Sequence, residues 1–191
     1  MTAWVLGAAD PEMVAIEGLL RRKGEVVEYA THNGERVNAG NAYEADPRDS
    51  KHFFAIECGS PAWSTYTVVD HHRPRDPGFG GPPAQYMIAA SIGQVVRMLE
   101  LDICRQCGDR IDWRDRSGSK GAPVMAVSDR CRGPSRCVER HDWPIQPKCY
   151  DQIRLIAAAD HCLAAAYRGE CPGVDPRELM WWQRRPGARG R

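Results

Sequence analysis

Three short apolar runs, each leading into an acid, constrain this chain more than any other feature. They are "AWVLGAA" at residues 3–9, "FFAIE" at 53–57 and "TYTVVD" at 65–70. Runs of this length, rich in β-branched and aromatic residues, predict strands buried on both faces of a parallel sheet. A fourth candidate is "EVVEYAT" at 25–31. Between the first and the fourth lies "PEMVAIEGLLRRKG", which predicts a helix with Met13, Ile16, Leu19 and Leu20 apolar and Gly24 as its stop. Strand, helix and strand within the first thirty or so residues make a βα unit. The predicted class is therefore α/β, a parallel sheet flanked by helices.

The remainder divides by composition. "GERVNAGNAYEADPRD" at 34–49 is a turn-rich connector to which the pattern assigns no element, and "RPRDPGFGGPP" at 73–83 is a Gly/Pro loop. "AQYMIAASIGQVVRMLEL" at 84–101 predicts one continuous helix, and a helical pattern returns in "CYDQIRLIAAADHCLAAAYRGE" at 149–170. Between them, residues 102–148 lose aliphatic content and gain Cys, Arg, Asp and Gly, the pattern of an inserted subdomain. The expected organisation is an α/β domain built from 1–101 and 149–191, interrupted by that insert. With 191 residues the chain is long enough for one domain with a core and a small insert. The net charge of +1 names no partner, and a mean hydropathy of −0.52 with 27% charged residues is that of a water-exposed protein. No apolar stretch reaches a membrane span's length, and the opening residues lack the pattern of a signal peptide. The expectation is a cytoplasmic protein without a membrane partner.

The acids at the run ends carry the chemistry. The first run leads into Asp10 and Glu12, the second ends on Glu57, and the third ends on Asp70, His71 and His72. In an open parallel sheet, ligands bind beyond the C-terminal strand ends, so all of these share one edge. Asp10 before Pro11 also fits a helix N-cap, and both readings stand. In the late helix, Ile153, Ile156, Asp160, Leu163 and Tyr167 share one face by their spacing. A carboxylate in an apolar stripe needs a compensating cation, either a metal ion or an arginine. His161 lies off the stripe, as a supporting or surface group. Carboxylates with imidazoles suit a hard divalent cation, Mn²⁺ or Mg²⁺, which polarises phosphoryl oxygens and generates hydroxide.

Four segments in order, "DPEMVA", "AIECG", "VVDHHRP" and "AAADH", resemble the motifs of the DHH phosphoesterase family, RecJ-like and oligoribonuclease-like enzymes among them. The resemblance implies that Asp10, Glu12, Glu57, His71 and Asp160 hold Mn²⁺, with Glu57 bridging two ions. It implies catalytic, supporting or phosphate-contacting roles for Asp70, His71 and His72. This sequence departs from the pattern by Leu6 in place of a histidine, and by Glu in place of Asp at positions 12 and 57. The implied function is hydrolysis of a nucleotide or nucleic-acid phosphodiester. The alternatives are a degenerate domain that binds a nucleotide or single-stranded nucleic acid without cleaving it, and a metal-stabilised protein-interaction module. Substrate recognition then falls to the insert or to a second copy in a homo-oligomer.

The chain has eight cysteines, which in a cytosolic protein point to metal ligands or buried thiols. Cys104 and Cys107 form a C-x2-C pair, followed by Cys131 and Cys137, so the insert is expected to be zinc-ribbon-like. Those four are the expected ligands of a structural Zn²⁺, with His141 as the substitute. Such an ion folds a polar segment that has little core. Arginines with Trp113 and Trp143 give the insert either a nucleic-acid contact or, the preferred reading, a solvated face. Cys58, Cys162 and Cys171 read as small buried hydrophobes.

Overall fold

The computed structural model describes residues 2–48, 52–101 and 147–184. The expected insert, with the expected zinc ligands Cys104, Cys107, Cys131 and Cys137 and the substitute His141, lies outside the described residues. Four strands form a parallel sheet: β1 (Ala3–Leu6), β2 (Val26–Tyr29), β5 (Phe53–Ile56) and β6 (Tyr66–Val69), in the order β2-β1-β5-β6. All three pairings are parallel and in register over four residues, for example Leu6 opposite both Tyr29 and Ile56. A two-stranded antiparallel hairpin, β3 (Thr31–His32) and β4 (Glu35–Arg36), turns at Asn33 and Gly34, both with positive φ.

Side chains alternate across the sheet as the pleat demands. Trp4, Leu6, Ile56 and Val69 point to one face and join Met13, Ile16, Leu20, Ile92, Val95 and Ile156 in the larger core. Trp4 stacks on Phe54 of the neighbouring strand at 4.2 Å. Val5, Phe53 and Ala55 point to the other face, where Ala30, Val37, Ala42, Ala45, Cys58 and Trp63 cover them. The turn-rich connector therefore serves as the second layer of the sheet. Its order comes from small apolar residues at scattered positions and from Asp46, whose carboxylate accepts from Thr31, Asn33 and Gly34.

Helices build the first face: α1 (Pro11–Arg22), α2 (Tyr86–Ala89), α3 (Ser91–Met98), α4 (Pro147–Tyr167) and α5 (Pro176–Gln183). Two helical expectations change. The single helix over 84–101 is broken at Ala90, whose φ of −57° and ψ of 145° are extended. The broken corner packs so tightly that a Cβ on Gly93 would lie 1.8 Å from the Met87 carbonyl oxygen. The face shared by Ile153, Ile156, Asp160, Leu163 and Tyr167 also does not continue. Cys162 has non-helical dihedrals (φ −152°, ψ 45°), so Leu163 and Tyr167 turn outward while Ala165 and Ala166 are buried. The Cys162 sulfur lies against that of Cys171, which is buried as expected. Among the described residues, no helix is long and apolar enough to cross a membrane.

The corner gives a test of packing. Gly93→Ala is expected to destabilise by about 1–3 kcal/mol through overpacking against Met87. Gly18→Ala, mid-helix and facing only the mobile Arg22 guanidinium at 3.3 Å, is expected to stabilise by up to about 1 kcal/mol. Urea denaturation of the two variants should give shifts of opposite sign.

Candidate metal centre

The C-terminal ends of β1, β5 and β6 open onto one rim, and α4 crosses it. At β5 the chain turns sharply: Glu57 has φ +50°, a left-handed conformation that costs a non-glycine residue free energy. Gly7 makes this turn possible, since a Cβ there would sit 2.4 Å from the Glu57 carbonyl oxygen. The distortion directs the buried Glu57 carboxylate inward over the sheet edge.

At β6 the strand runs into the three-residue group 70–72. Asp70 is fully buried and accepts four hydrogen bonds. Its donors are the backbone N–H groups of His71 (2.6 Å) and His72 (3.0 Å), the His72 ring Nδ1 (3.0 Å) and the Tyr43 hydroxyl (2.8 Å). With its oxygens engaged, Asp70 orients its neighbours. Burial pushes its carboxyl up, but the bonds from His72 and Tyr43 outweigh burial and hold it below the usual range.

His71 is the hub. Its Nε2 lies 2.9 Å from an Asp160 oxygen, and its Nδ1 lies 3.3 Å from the Ser91 hydroxyl and 3.7 Å from Glu57. His72 stacks beside it at 4.2 Å between ring centroids, and His161 meets it edge-on at 5.1 Å. One ligand atom from each of Glu57, His71, His72 and Asp160 lies within 4.8 Å of all the others. Ligands held about 2.0–2.6 Å from one cation span no more than about 5 Å, so this group could hold a metal ion.

Glu12 stands directly beside the group. It is 1% exposed, and its Oε1 accepts from the Ile92 N–H at 2.8 Å. That N–H is free because the helix restarts at Ser91. Its Oε2 is buried with no hydrogen-bond partner. Burial, then the charges of Glu57 and Asp160, push the Glu12 carboxyl far above its usual range. Burial and the Asp160 charge likewise push Glu57 up to about 7. Asp160 itself is held low: burial raises it, but the hydrogen bond from His71 prevails. His72 is raised to about 9 by its bond to Asp70, against burial. Three carboxylates thus crowd one imidazole, an arrangement that a divalent cation relieves.

The expected site residues are not all equivalent. Glu57, His71, His72 and Asp160 come together, with Glu12 against them. Asp10 takes its alternative role: its side chain accepts from the Met13 N–H at 2.7 Å and caps α1. It stays within electrostatic reach of Asp160 and His72. Sequence reading missed Ser91, Tyr43, Gln94 and the glycines. Gln94 donates to the carbonyls of Asp70 (3.0 Å) and Ala89 (2.8 Å), clamping α3 to the rim. A Cβ on Gly78 would lie 1.9 Å from the Ala89 oxygen and 2.7 Å from the His71 Cβ. The His161 Nε2–H donates to Gly81 at 2.9 Å, and burial lowers its ring below the usual value. For Gly78 and Gly81 the signal was the Gly/Pro density of 73–83, which marks close packing as readily as a free loop. Cys58 is no nucleophile candidate, since burial pushes its thiol up to about 12. Comparison with protein-family models, curated proteins and solved structures finds no match to this chain.

The raised carboxyl and imidazole give a pH signature for the metal-free protein. A group whose pKa is raised on folding stabilises below its unfolded value and loses that contribution as pH rises through its folded value. For Glu57 the contribution is present below 4.5 and lost through about 7; for His72 it is present below 6.5 and lost through about 9. The Tm of metal-free protein should therefore fall between about pH 5 and pH 9. The increment in Tm on adding a divalent cation should widen over the same range. Scanning fluorimetry at fixed ionic strength checks both, and an increment that shrinks as pH rises contradicts a cation held by these carboxylates.

Proposed function

We propose that this chain is a divalent-metal-dependent phosphoesterase of the DHH type, acting on a nucleotide or nucleic-acid phosphodiester. The observation that carries this reading is the convergence of Glu57, His71, His72 and Asp160 within 4.8 Å at a sheet's C-terminal rim. The partnerless buried oxygen of Glu12 beside them supports it. Carboxylate and imidazole donors suit Mn²⁺ or Mg²⁺, with Glu57, His71, Asp160 and Glu12 as the holding groups. An ion held there would supply positive charge against a phosphoryl oxygen and would make water a better nucleophile at neutral pH.

The protein's own groups perform the remaining work. Ser91 holds the Nδ1 of His71 and so orients its ring, leaving Nε2, 2.9 Å from Asp160, as the nitrogen that would share a cation with that carboxylate. Asp70 accepts from the His72 ring and favours its protonated form, which sets His72 apart from the holding groups, and the His72 side chain is 45% exposed at the rim. As water adds to phosphorus and releases a proton to solvent, the P–O bond to the leaving group breaks and His72 can give its proton to the departing oxygen. Apolar packing behind Glu57 keeps the local dielectric low, which strengthens each of these interactions.

A second reading, binding without hydrolysis, is favoured by one observation. Leu6, where the family pattern has a histidine, is fully buried in the helix-side core and offers no ligand. Turnover separates the two. With Mn²⁺ and a panel of dinucleotides, cyclic dinucleotides and single-stranded oligonucleotides, the enzyme reading expects product. It also expects a loss of at least about 100-fold in rate or metal affinity in His71→Ala and Asp160→Asn. Binding with no product supports the second reading, and absence of both metal and nucleotide binding removes the two together.

The insert is proposed to carry one structural Zn²⁺ on Cys104, Cys107, Cys131 and Cys137. Elemental analysis is expected to give one zinc per chain in wild type and none in Cys104→Ser/Cys107→Ser. Retention of zinc by that double variant would falsify the ligand set.

A further inference from the structure

A second group of polar side chains lies on the far side of Asp70 from His71. The Arg73 guanidinium carbon lies over the Tyr43 ring, 3.6 Å from its centroid. Tyr43 is itself pinned, because its hydroxyl donates to Asp70, the same carboxylate that holds His72. The arginine is therefore braced on a ring tied to the metal-centre histidine. Asp76 is 6% exposed and accepts from the Arg73 backbone N–H at 2.7 Å. Its carboxylate approaches the Arg73 Nε only to 3.6 Å, and that buried Nε has no hydrogen-bond partner.

Arg73 Nη2, the Tyr66 hydroxyl and the Tyr43 ring all lie beside the buried Gly59: a Cβ built there would sit 3.9, 3.9 and 3.5 Å from them. These are ordinary van der Waals distances, so glycine at 59 leaves the room of a methyl group next to the two donors. Among the described residues, neither the terminal nitrogens of Arg73 nor the Tyr66 hydroxyl has a hydrogen-bond partner. Tyr66 is fixed by stacking on Phe53 at 5.6 Å and by an edge contact with Trp63. Two donors, one of them a planar guanidinium, thus lie within 3.9 Å of the same point beside Gly59. Of the nearby negative charges, Asp70 is engaged by His71, His72 and Tyr43, and Asp76 is paired with Arg73 itself, through its backbone N–H and, at 3.6 Å, its Nε.

We propose that Arg73 and the Tyr66 hydroxyl, both beside Gly59, bind a phosphate group of the substrate beside the metal centre. A planar guanidinium matches a tetrahedral oxyanion with paired N–H donors, and stacking on Tyr43 pre-organises it for that role. This rests on the phosphoesterase reading and adds to it the residues that recognise the substrate's charge. The site selects ligands that present a phosphate oxyanion. Neutral or cationic metal-coordinating molecules gain nothing from it.

The test uses the full chain, loaded with Mn²⁺, and inorganic phosphate as the probe, measured by isothermal titration calorimetry. Arg73→Gln is expected to weaken phosphate binding by about tenfold or more, as loss of a charge-assisted hydrogen-bonded pair does. Tyr66→Phe is expected to weaken it by a smaller factor, and Arg73→Lys to recover only part of the loss. The Mn²⁺-induced rise in Tm should be unchanged in all three, which shows that the variants fold and that the metal centre is intact. Arg177→Gln on α5 serves as a charge control with no effect. Equal phosphate affinity in wild type and Arg73→Gln overturns the inference while leaving the metal reading in place. So does a wild-type protein that binds Mn²⁺ but not phosphate. A wild-type protein that shows no Mn²⁺ response overturns the phosphoesterase reading and this inference with it.

Discussion

Three carboxylates crowded around one imidazole are the constraint to which the rest of the architecture answers. Glu12 and Glu57 are buried and Asp160 is three-quarters buried at its side chain; Glu57 and Asp160 approach His71, and Glu12 lies within electrostatic reach of both. Like charges this close, away from water, repel strongly unless protons or a cation neutralise them. The surroundings do not dilute that repulsion. No arginine or lysine is paired with the three among the described residues, and the Ile92 N–H and the Ser91 hydroxyl are the neutral donors supplied. An assembly selected only for stability would replace such a group with apolar side chains. Its retention in the core is the physical ground for reading it as a cation site.

The backbone around the group is shaped to the same end. Glu57 takes a left-handed φ, the 84–101 segment breaks at Ala90, and α4 kinks at Cys162 directly after Asp160 and His161. Each irregularity presents a polar group to the rim: a carboxylate, a free N–H with a serine hydroxyl, and an Asp-His pair. Gly7, Gly78 and Gly93 make the first two possible by removing a Cβ that would strike backbone carbonyl oxygens. Local strain of this kind is kept where a site needs it and is offset by the packing elsewhere. Here the offset is the continuous core between the sheet and the five helices.

Asp70 links the two polar regions. Through one carboxylate it holds the His72 ring and the Tyr43 hydroxyl, and Tyr43 in turn supports Arg73. A buried acceptor with four donors is rigid, since losing any one of them leaves a polar group unsatisfied. The Glu57–His71–Asp160 group and Arg73 therefore keep a set separation. On the phosphoesterase reading proposed above, a substrate reaching both is recognised by shape as well as by charge.

The sequence by itself determined the strands, their parallel pairing and the rim on which the acids meet. Apolar runs of four to six residues joined through a helix have few other stable arrangements, and period-two alternation of Trp4, Val5 and Leu6 sets which face each side chain takes. It also picked out Glu57, His71, His72 and Asp160, because acids and imidazoles ending buried runs stand out against an apolar background. Only the tertiary structure decided the rest. Asp10 is both a plausible ligand and a plausible cap, and its bond to the Met13 N–H resolves that locally. Leu163 and Tyr167 fit the helical period, yet one non-helical residue at Cys162 turns them outward. Ser91, Tyr43 and Arg73 carry no periodic signal, because their roles come from contacts across 20 to 30 residues of chain. Periodicity reports which face of an element is buried; which polar atoms meet there depends on breaks, kinks and missing Cβ atoms, and those follow from packing in three dimensions.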